Sequence, residues 1–165
     1  MRSHKQDLIC SKLLEYASLS TIRCKHSACL AIGSKIIAFG INNERTKWNK
    51  ELFCCSHSEI QCIYNWLNCR LKGSKNKNRI RKMKKKLRKM TLYIIRKSGN
   101  AENIFSNSKP CKLCLSKIKL MNIKKIIYSN NDGKLEKYNN ISNLENKHTS
   151  YAMNKFYKKK LVFKI

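Results

Sequence analysis

Two short stretches of this chain carry side chains that could do chemistry together: CSHSEIQC, with His57 and Glu59, and KPCKLC, with Cys111 and Cys114. Pro110 is the only proline in the chain, and it stands directly before the cysteine pair. Proline suits the first position of a helix, where its missing N–H is no loss and its φ is preset. The spacing therefore predicts a helix from Pro110 to about Met121, with both thiols on one side of its first turn. The positive end of the helix dipole and the free N–H groups favour thiolate there, the form that binds metal.

A lone C-x-x-C is half a zinc site, a redox pair, or an accident in a cysteine-rich chain. A redox pair normally precedes its helix in a thioredoxin-like context, whereas here the proline precedes both cysteines. Zinc needs at least three protein ligands, and a catalytic zinc keeps a further position for water. His57, at the start of a second helix expected to begin near Ser56 to Ser58, supplies the third candidate. Glu59 stands two residues on and can approach the metal-bound water without ligating. The metal would lower the pKa of that water, and Glu59 would take its proton and pass it to a ring nitrogen and a leaving amine. The competing reading is a closed structural site, with Cys54 or Cys55 as fourth ligand. Such a site has no need of a carboxylate at position 59.

H-x-E followed by P-C-x-x-C is the signature of zinc-dependent nucleoside and nucleobase deaminases. On these residues the chain resembles the cytidine/deoxycytidylate deaminase superfamily, from about Lys25 to Tyr138. His57-Ser58-Glu59 is similar to the His-Ala-Glu of deoxycytidylate and tRNA-adenosine deaminases. The 54 residues from His57 to Cys111 exceed the usual spacing of the free-nucleoside enzymes, and a basic segment accounts for the excess. Gly40-Ile41-Asn42 also matches, which implies a substrate contact for Asn42. Glu44 stands where the free cytidine deaminases carry a ribose-binding glutamate, although those enzymes use Cys as first ligand. The resemblance implies one Zn²⁺ per chain, held by His57, Cys111 and Cys114, with Glu59 as proton shuttle. It implies hydrolysis at C4 of cytosine in cytidine or dCMP, with release of ammonia. It also implies an α/β fold, a three-layer α/β/α sandwich around a five-stranded mixed sheet, and a capacity to form homo-oligomers.

The elements that must position these residues are legible in outline. Residues 5–19 place Leu8, Ile9, Leu13, Leu14 and Ala17 at helical spacing. Apolar runs from Ala28 to Ile32 and from Ile36 to Phe39 flank Gly33-Ser34, which predicts a hairpin. Ile60, Ile63, Tyr64 and Leu67 give the second helix its buried side. Within the basic stretch 70–90, Ile80, Met83, Leu87 and Met90 form a thin apolar stripe, the pattern of a surface helix with one docked edge. TLYIIRK and IKKIIYS read as strands, NAENIFSNS as a loop, and NNDG as a turn that folds KLEKY straight back as a fifth strand. The resemblance links that antiparallel return to free-nucleoside enzymes. The chain reads as one domain over residues 1–165, with a basic insertion at about 70–90 and a C-terminal extension from about 140, where a last helix and a short strand are expected.

Composition bounds the partners. Thirty-seven basic against nine acidic residues give a net charge of +28, a field that attracts polyanions. Lys, Asn and Ile also have AT-rich codons, so the charge has a compositional explanation too. RNA or single-stranded DNA through residues 70–97 is therefore an alternative partner to a small pyrimidine nucleoside or nucleotide, either as deaminase substrate or as ligand of a non-catalytic zinc protein. Nine cysteines without a secretory leader suggest reduced thiols in a soluble, cytoplasmic protein, with a nuclear location as the alternative and no membrane partner. Cys10, Cys24, Cys29, Cys62 and Cys69 are expected as small core residues. His4, His26 and His148, with no partners at ligand spacing, are expected as surface or hydrogen-bonded side chains, and Trp48 either packs or lines the substrate pocket.

Overall fold

The computed structural model describes residues 4–44, 47–48, 51–52, 56–72, 76–99 and 104–149. The elements run α1 (His4–Ser18), β1 (His26–Ile32), β2 (Lys35–Ile41), β3 (Lys47–Trp48), β4 (Glu51–Leu52), α2 (Ser58–Leu71), α3 (Lys77–Leu87), β5 (Thr91–Lys97), β6 (Phe105–Ser106), α4 (Lys112–Leu120), β7 (Lys125–Ser129) and β8 (Leu135–Tyr138). The main sheet has the order β2-β1-β5-β7-β8, with β6 pairing on β5 as a sixth strand, and β3 and β4 form a separate two-stranded ribbon. Among the described strands only β5 and β7 pair in parallel. The sheet is thus mixed, and the expected five strands are its main path.

The hairpin forms where the apolar runs place it, antiparallel across Gly33, whose φ of +60° is the left-handed region that glycine enters without penalty. Strand alternation then divides the core. Ala28 and Leu30 of β1 and Leu92 and Ile94 of β5 pack with Cys62, Ile63, Trp66 and Leu67 of α2, Met83 and Leu87 of α3, and Leu115 and Ile118 of α4. Their neighbours Cys29, Ala31, Tyr93 and Ile95 pack against Ile9, Cys10 and Leu13 of α1. One helix covers one face and three cover the other, which makes the three-layer sandwich. In α1 the buried side is Ile9, Cys10, Leu13 and Ala17, whereas Leu8 is exposed, so the stripe is rotated from the expected one.

The basic segment folds as a docked surface helix. Seven of the eleven α3 residues are cationic, yet Met83, Leu87 and the following Met90 are buried. Asn76 caps its N-terminus by accepting from the N–H groups of Asn78 and Arg79. Two readings are corrected. NAENIFSNS is not all loop, because Phe105 and Ser106 return to pair with Lys97 and Arg96. Cys24 and Cys69 are exposed, while Cys10, Cys29 and Cys62 are buried as expected. Cys24 precedes β1 and Cys69 lies in the last turns of α2, both beyond the reach of the core. The Cys29 thiol is pushed up to about 12, first by burial and then by Cys10, as suits an inert core residue. No helix among the described residues is long and apolar enough to cross a membrane. The expected last helix and strand within 150–165, the side chain of Trp48, and Cys54 and Cys55 lie outside the described residues.

Candidate active site

Two helices begin at the same end of the sheet. His57 is the N-cap of α2 and Cys111 the N-cap of α4, both with extended backbone and no side-chain cap bond. Pro110 therefore sits one position before the cap and not at the first helical position. Its carbonyl accepts from Asn146 Nδ2 at 2.8 Å, and the Lys112 N–H donates to the carbonyl of His148 at 2.9 Å. The segment after β8 thus straps the start of the cysteine helix.

The side chains of the two caps converge. His57 Nδ1 lies 3.6 Å from Cys111 Sγ and 3.2 Å from Cys114 Sγ. One ligand atom from each of the three residues lies within 4.8 Å of the others. Zinc bonds of about 2.0 Å to nitrogen and about 2.3 Å to sulfur in a tetrahedron put N and S about 3.5 Å apart. The donor set and both separations fit that ion, and among the described residues the group has three members. Cys111 is held below the usual thiol range, chiefly by its hydrogen bond with Cys114, and Cys114 is pushed up by the same bond and by burial.

Glu59 is 5% exposed, in the first turn of α2. Burial raises its pKa, and the nearby His57 and a 3.2 Å hydrogen bond from Ser58 Oγ oppose the shift. Its carboxyl helps to push the Cys114 thiol up, as a neighbouring acidic group does. A buried carboxyl poised toward the protonated form beside a metal-ligating set is suited to carry protons.

Asn42 is buried where β2 ends, and its side chain is largely committed. Its Oδ1 accepts from the His26 N–H at 2.8 Å and from Ser20 Oγ at 2.7 Å, and its Nδ2 donates to the Cys24 carbonyl at 2.6 Å. One Nδ2 hydrogen remains for another acceptor. Glu44 is exposed on the following loop. The structure brings His57, Glu59, Cys111 and Cys114 together and leaves Glu44 at the surface.

Three positioning features escaped the sequence reading. Asn43 and Ser56 exchange backbone hydrogen bonds of 3.1 and 2.9 Å, which ties the end of β2 to the residue before His57. Gln61 Oε1 accepts from both side chains. On the other side, Ser129 Oγ donates to the Ser106 carbonyl at 2.6 Å, and Ser108 Oγ to the Ile94 carbonyl at 2.8 Å. This clasp fixes the approach to Pro110. The third is His26, which pairs with Arg96 across β1 and β5. Its pKa falls to about 3, first by burial and then by the charges of Arg96 and His57.

That shift has a consequence for acid stability. Between pH 6.5 and 3 the unfolded chain accepts a proton on this imidazole that the folded chain refuses. Stability therefore falls as pH drops below 6.5, by on the order of 1 kcal/mol at pH 5 for this half-buried group. The expected result is that His26→Gln flattens the melting temperature between pH 7 and pH 5. An unchanged acid slope would assign the loss to other groups.

Comparison with known proteins agrees with this architecture. No family model and no curated protein sequence matches the chain. Among solved structures, cytidine deaminase from Burkholderia pseudomallei superposes with a TM-score of 0.51 at 15% identity, covering 82% of this chain and 91% of its own. The dCMP deaminase of cyanophage S-TIM5, solved with dCMP and dUMP, superposes with a TM-score of 0.50 at 15% identity, covering 79% of this chain and 85% of its own. At these identities the likeness is one of architecture, and the chain has the cytidine deaminase-like fold.

Proposed function

We propose that this protein is a zinc-dependent hydrolytic deaminase that converts a cytosine-containing nucleoside or nucleotide to the uracil form. The observation that carries the reading is the convergence of His57 Nδ1 and the two thiols, with the buried carboxyl of Glu59 beside them. Zinc bound by His57, Cys111 and Cys114 supplies the Lewis acidity that ionises a water near neutral pH. Glu59 takes a proton from the attacking water and delivers it to N3 of the pyrimidine. The C4–N bond then breaks, and Glu59 returns the second proton to the leaving amine, so that water is consumed and ammonia released. Asn42 would direct its remaining Nδ2 hydrogen to the sugar, and the exposed Glu44 is the further candidate for a contact with it.

The antiparallel β8 supports a small-molecule substrate. The cationic α3 supports a second reading, a zinc-stabilised nucleic-acid-binding protein without catalysis. One experiment separates the two: ammonia release from cytidine, deoxycytidine, dCMP, adenosine and an RNA oligonucleotide, before and after chelation. The first reading expects release from a cytosine compound that chelation abolishes and zinc restores. No release from any member of the panel, with the oligonucleotide retained, would establish the second.

A further inference from the structure

We propose that the Arg96 guanidinium, backed by the His26 imidazole, forms an anion subsite at the rim of the His57, Cys111 and Cys114 centre, and that it holds a phosphate esterified to the sugar of the target pyrimidine. The proposal rests on the deaminase reading and narrows its substrate.

Strand alternation assigns the side of the sheet. Ala28 and Leu30 of β1 and Leu92 and Ile94 of β5 face α2 and α4. His26 and Arg96 stand two residues beyond them, directly opposite one another in the β1–β5 register, and share that face. The adjacent residues confirm the alternation. Lys25 Nζ donates to the Ser18 and Ser20 carbonyls, Lys97 Nζ to Ser18 Oγ, and Ser27 Oγ to the Leu13 carbonyl, all at the α1 side.

The pair also lies beside the site. The Arg96 backbone N–H donates to Ser129 Oγ at 3.3 Å, and Ser129 Oγ lies 2.9 Å from Ser108 Oγ, two residues before Pro110. The Arg96 side chain reaches Cys24 Sγ at 3.4 Å, and the carbonyl of Cys24 is the acceptor for Asn42 Nδ2. The His26 ring feels the charges of both Arg96 and His57.

This guanidinium is poorly matched as it stands. It is half-buried, its side chain meets a sulfur, Cys24 Sγ, and no carboxylate among the described residues pairs with it. Most of its five donors remain for an oxyanion, and a planar fork suits phosphate. Burying a cation without an anion is costly, so a ligand that supplies one gains the difference. Helix α3, the densest run of cations, does not compete for this role. It ends at Leu87, just before the Thr91 end of β5, and Arg96 lies near the other end, about 17 Å away at the rise of an extended strand.

The test compares the wild-type protein with Arg96→Ala and Arg96→Lys on dCMP, deoxycytidine and a deoxycytidine oligonucleotide without terminal phosphate. The expected result is a kcat/KM at least 10-fold higher for dCMP or the oligonucleotide than for deoxycytidine. In Arg96→Ala that ratio falls toward one, mainly through KM, and Arg96→Lys restores part of it. Which of the two substrates shows the gain tells whether the phosphate is a nucleotide monoester or a polymer diester. Equal use of all three by wild type overturns the proposal, as does a parallel loss on all three in Arg96→Ala. A binding measurement separates this from the deaminase reading: thermal stabilisation by dUMP against deoxyuridine. If no cytosine compound is deaminated but dUMP alone stabilises wild type, and not Arg96→Ala, the subsite stands and the reaction falls. If dUMP and deoxyuridine stabilise equally, the subsite falls whatever the reaction.

Discussion

Glu59→Gln is expected to lower kcat by about 10³-fold, the range of a positioned proton carrier, while zinc stays bound at one per chain. The amide keeps the shape of the side chain and loses its ability to accept a proton. In the proposed site His57, Cys111 and Cys114 would hold the metal without it, so metal content should not change. Stability should separate from activity. The Glu59 carboxyl is 5% exposed, and burial raises its pKa. A neutral amide relieves that desolvation, so the melting temperature is expected to hold or rise. Zinc analysis, calorimetry and ammonia release on one preparation read all three quantities. A variant that keeps a tenth of the activity would remove Glu59 from the proton pathway. One that loses its zinc would make the residue a ligand.

Gly40→Ala is expected to cost about 3 kcal/mol or more, a large effect for one methyl group. A Cβ at position 40 would lie 2.3 Å from the Cys62 backbone N, 2.7 Å from the Ser58 carbonyl oxygen and 2.8 Å from Cys62 Cα. These are backbone atoms, so no rotamer change relieves the contact. The Ser58 carbonyl and the Cys62 N–H belong to the first turn of α2, immediately after His57. The methyl group therefore pushes the helix off β2 where the imidazole is aimed, and zinc affinity should fall with stability. The expected fall in melting temperature is on the order of 10 °C for a chain of this size. Gly33→Ala is the comparison. Nothing lies within 4 Å of a Cβ there, and the residue loses only the ease of its φ of +60°, a cost of about 1 kcal/mol. Should Gly40→Ala melt no lower than Gly33→Ala and keep its zinc, the close approach of β2 to α2 is not what positions His57.

The candidate site residues were legible because their signal is local. H-x-E and P-C-x-x-C each span a single helix start, and one turn of helix fixes which side chains share a side. The hairpin about Gly33 and the docked edge of α3 were legible for the same reason, since pattern and period state them within a dozen residues. Pro110 shows the limit of such reading. Its place beside a helix start was plain, but whether it is the first helical residue or the one before the cap depends on the Asn146 and His148 strap.

What the amino-acid sequence alone determined is the list of candidate ligands, a candidate proton carrier, and the order of the four described helices and of the five strands on the main path of the sheet. The tertiary structure decided which side chains meet across the sheet. His26 and Arg96 are 70 residues apart and face each other only because β1 pairs with β5. Ser108 reaches Ile94 and Ser129 only because the chain leaves β5, returns through β6 and passes beside β7. The resemblance points Asn42 at a ligand, and the fold commits most of its side chain to Ser20, Cys24 and His26. Helical period is written in neighbouring residues, whereas strand order and register are set by packing among segments far apart in the chain, so the positions that frame the site emerge only when the sheet is assembled.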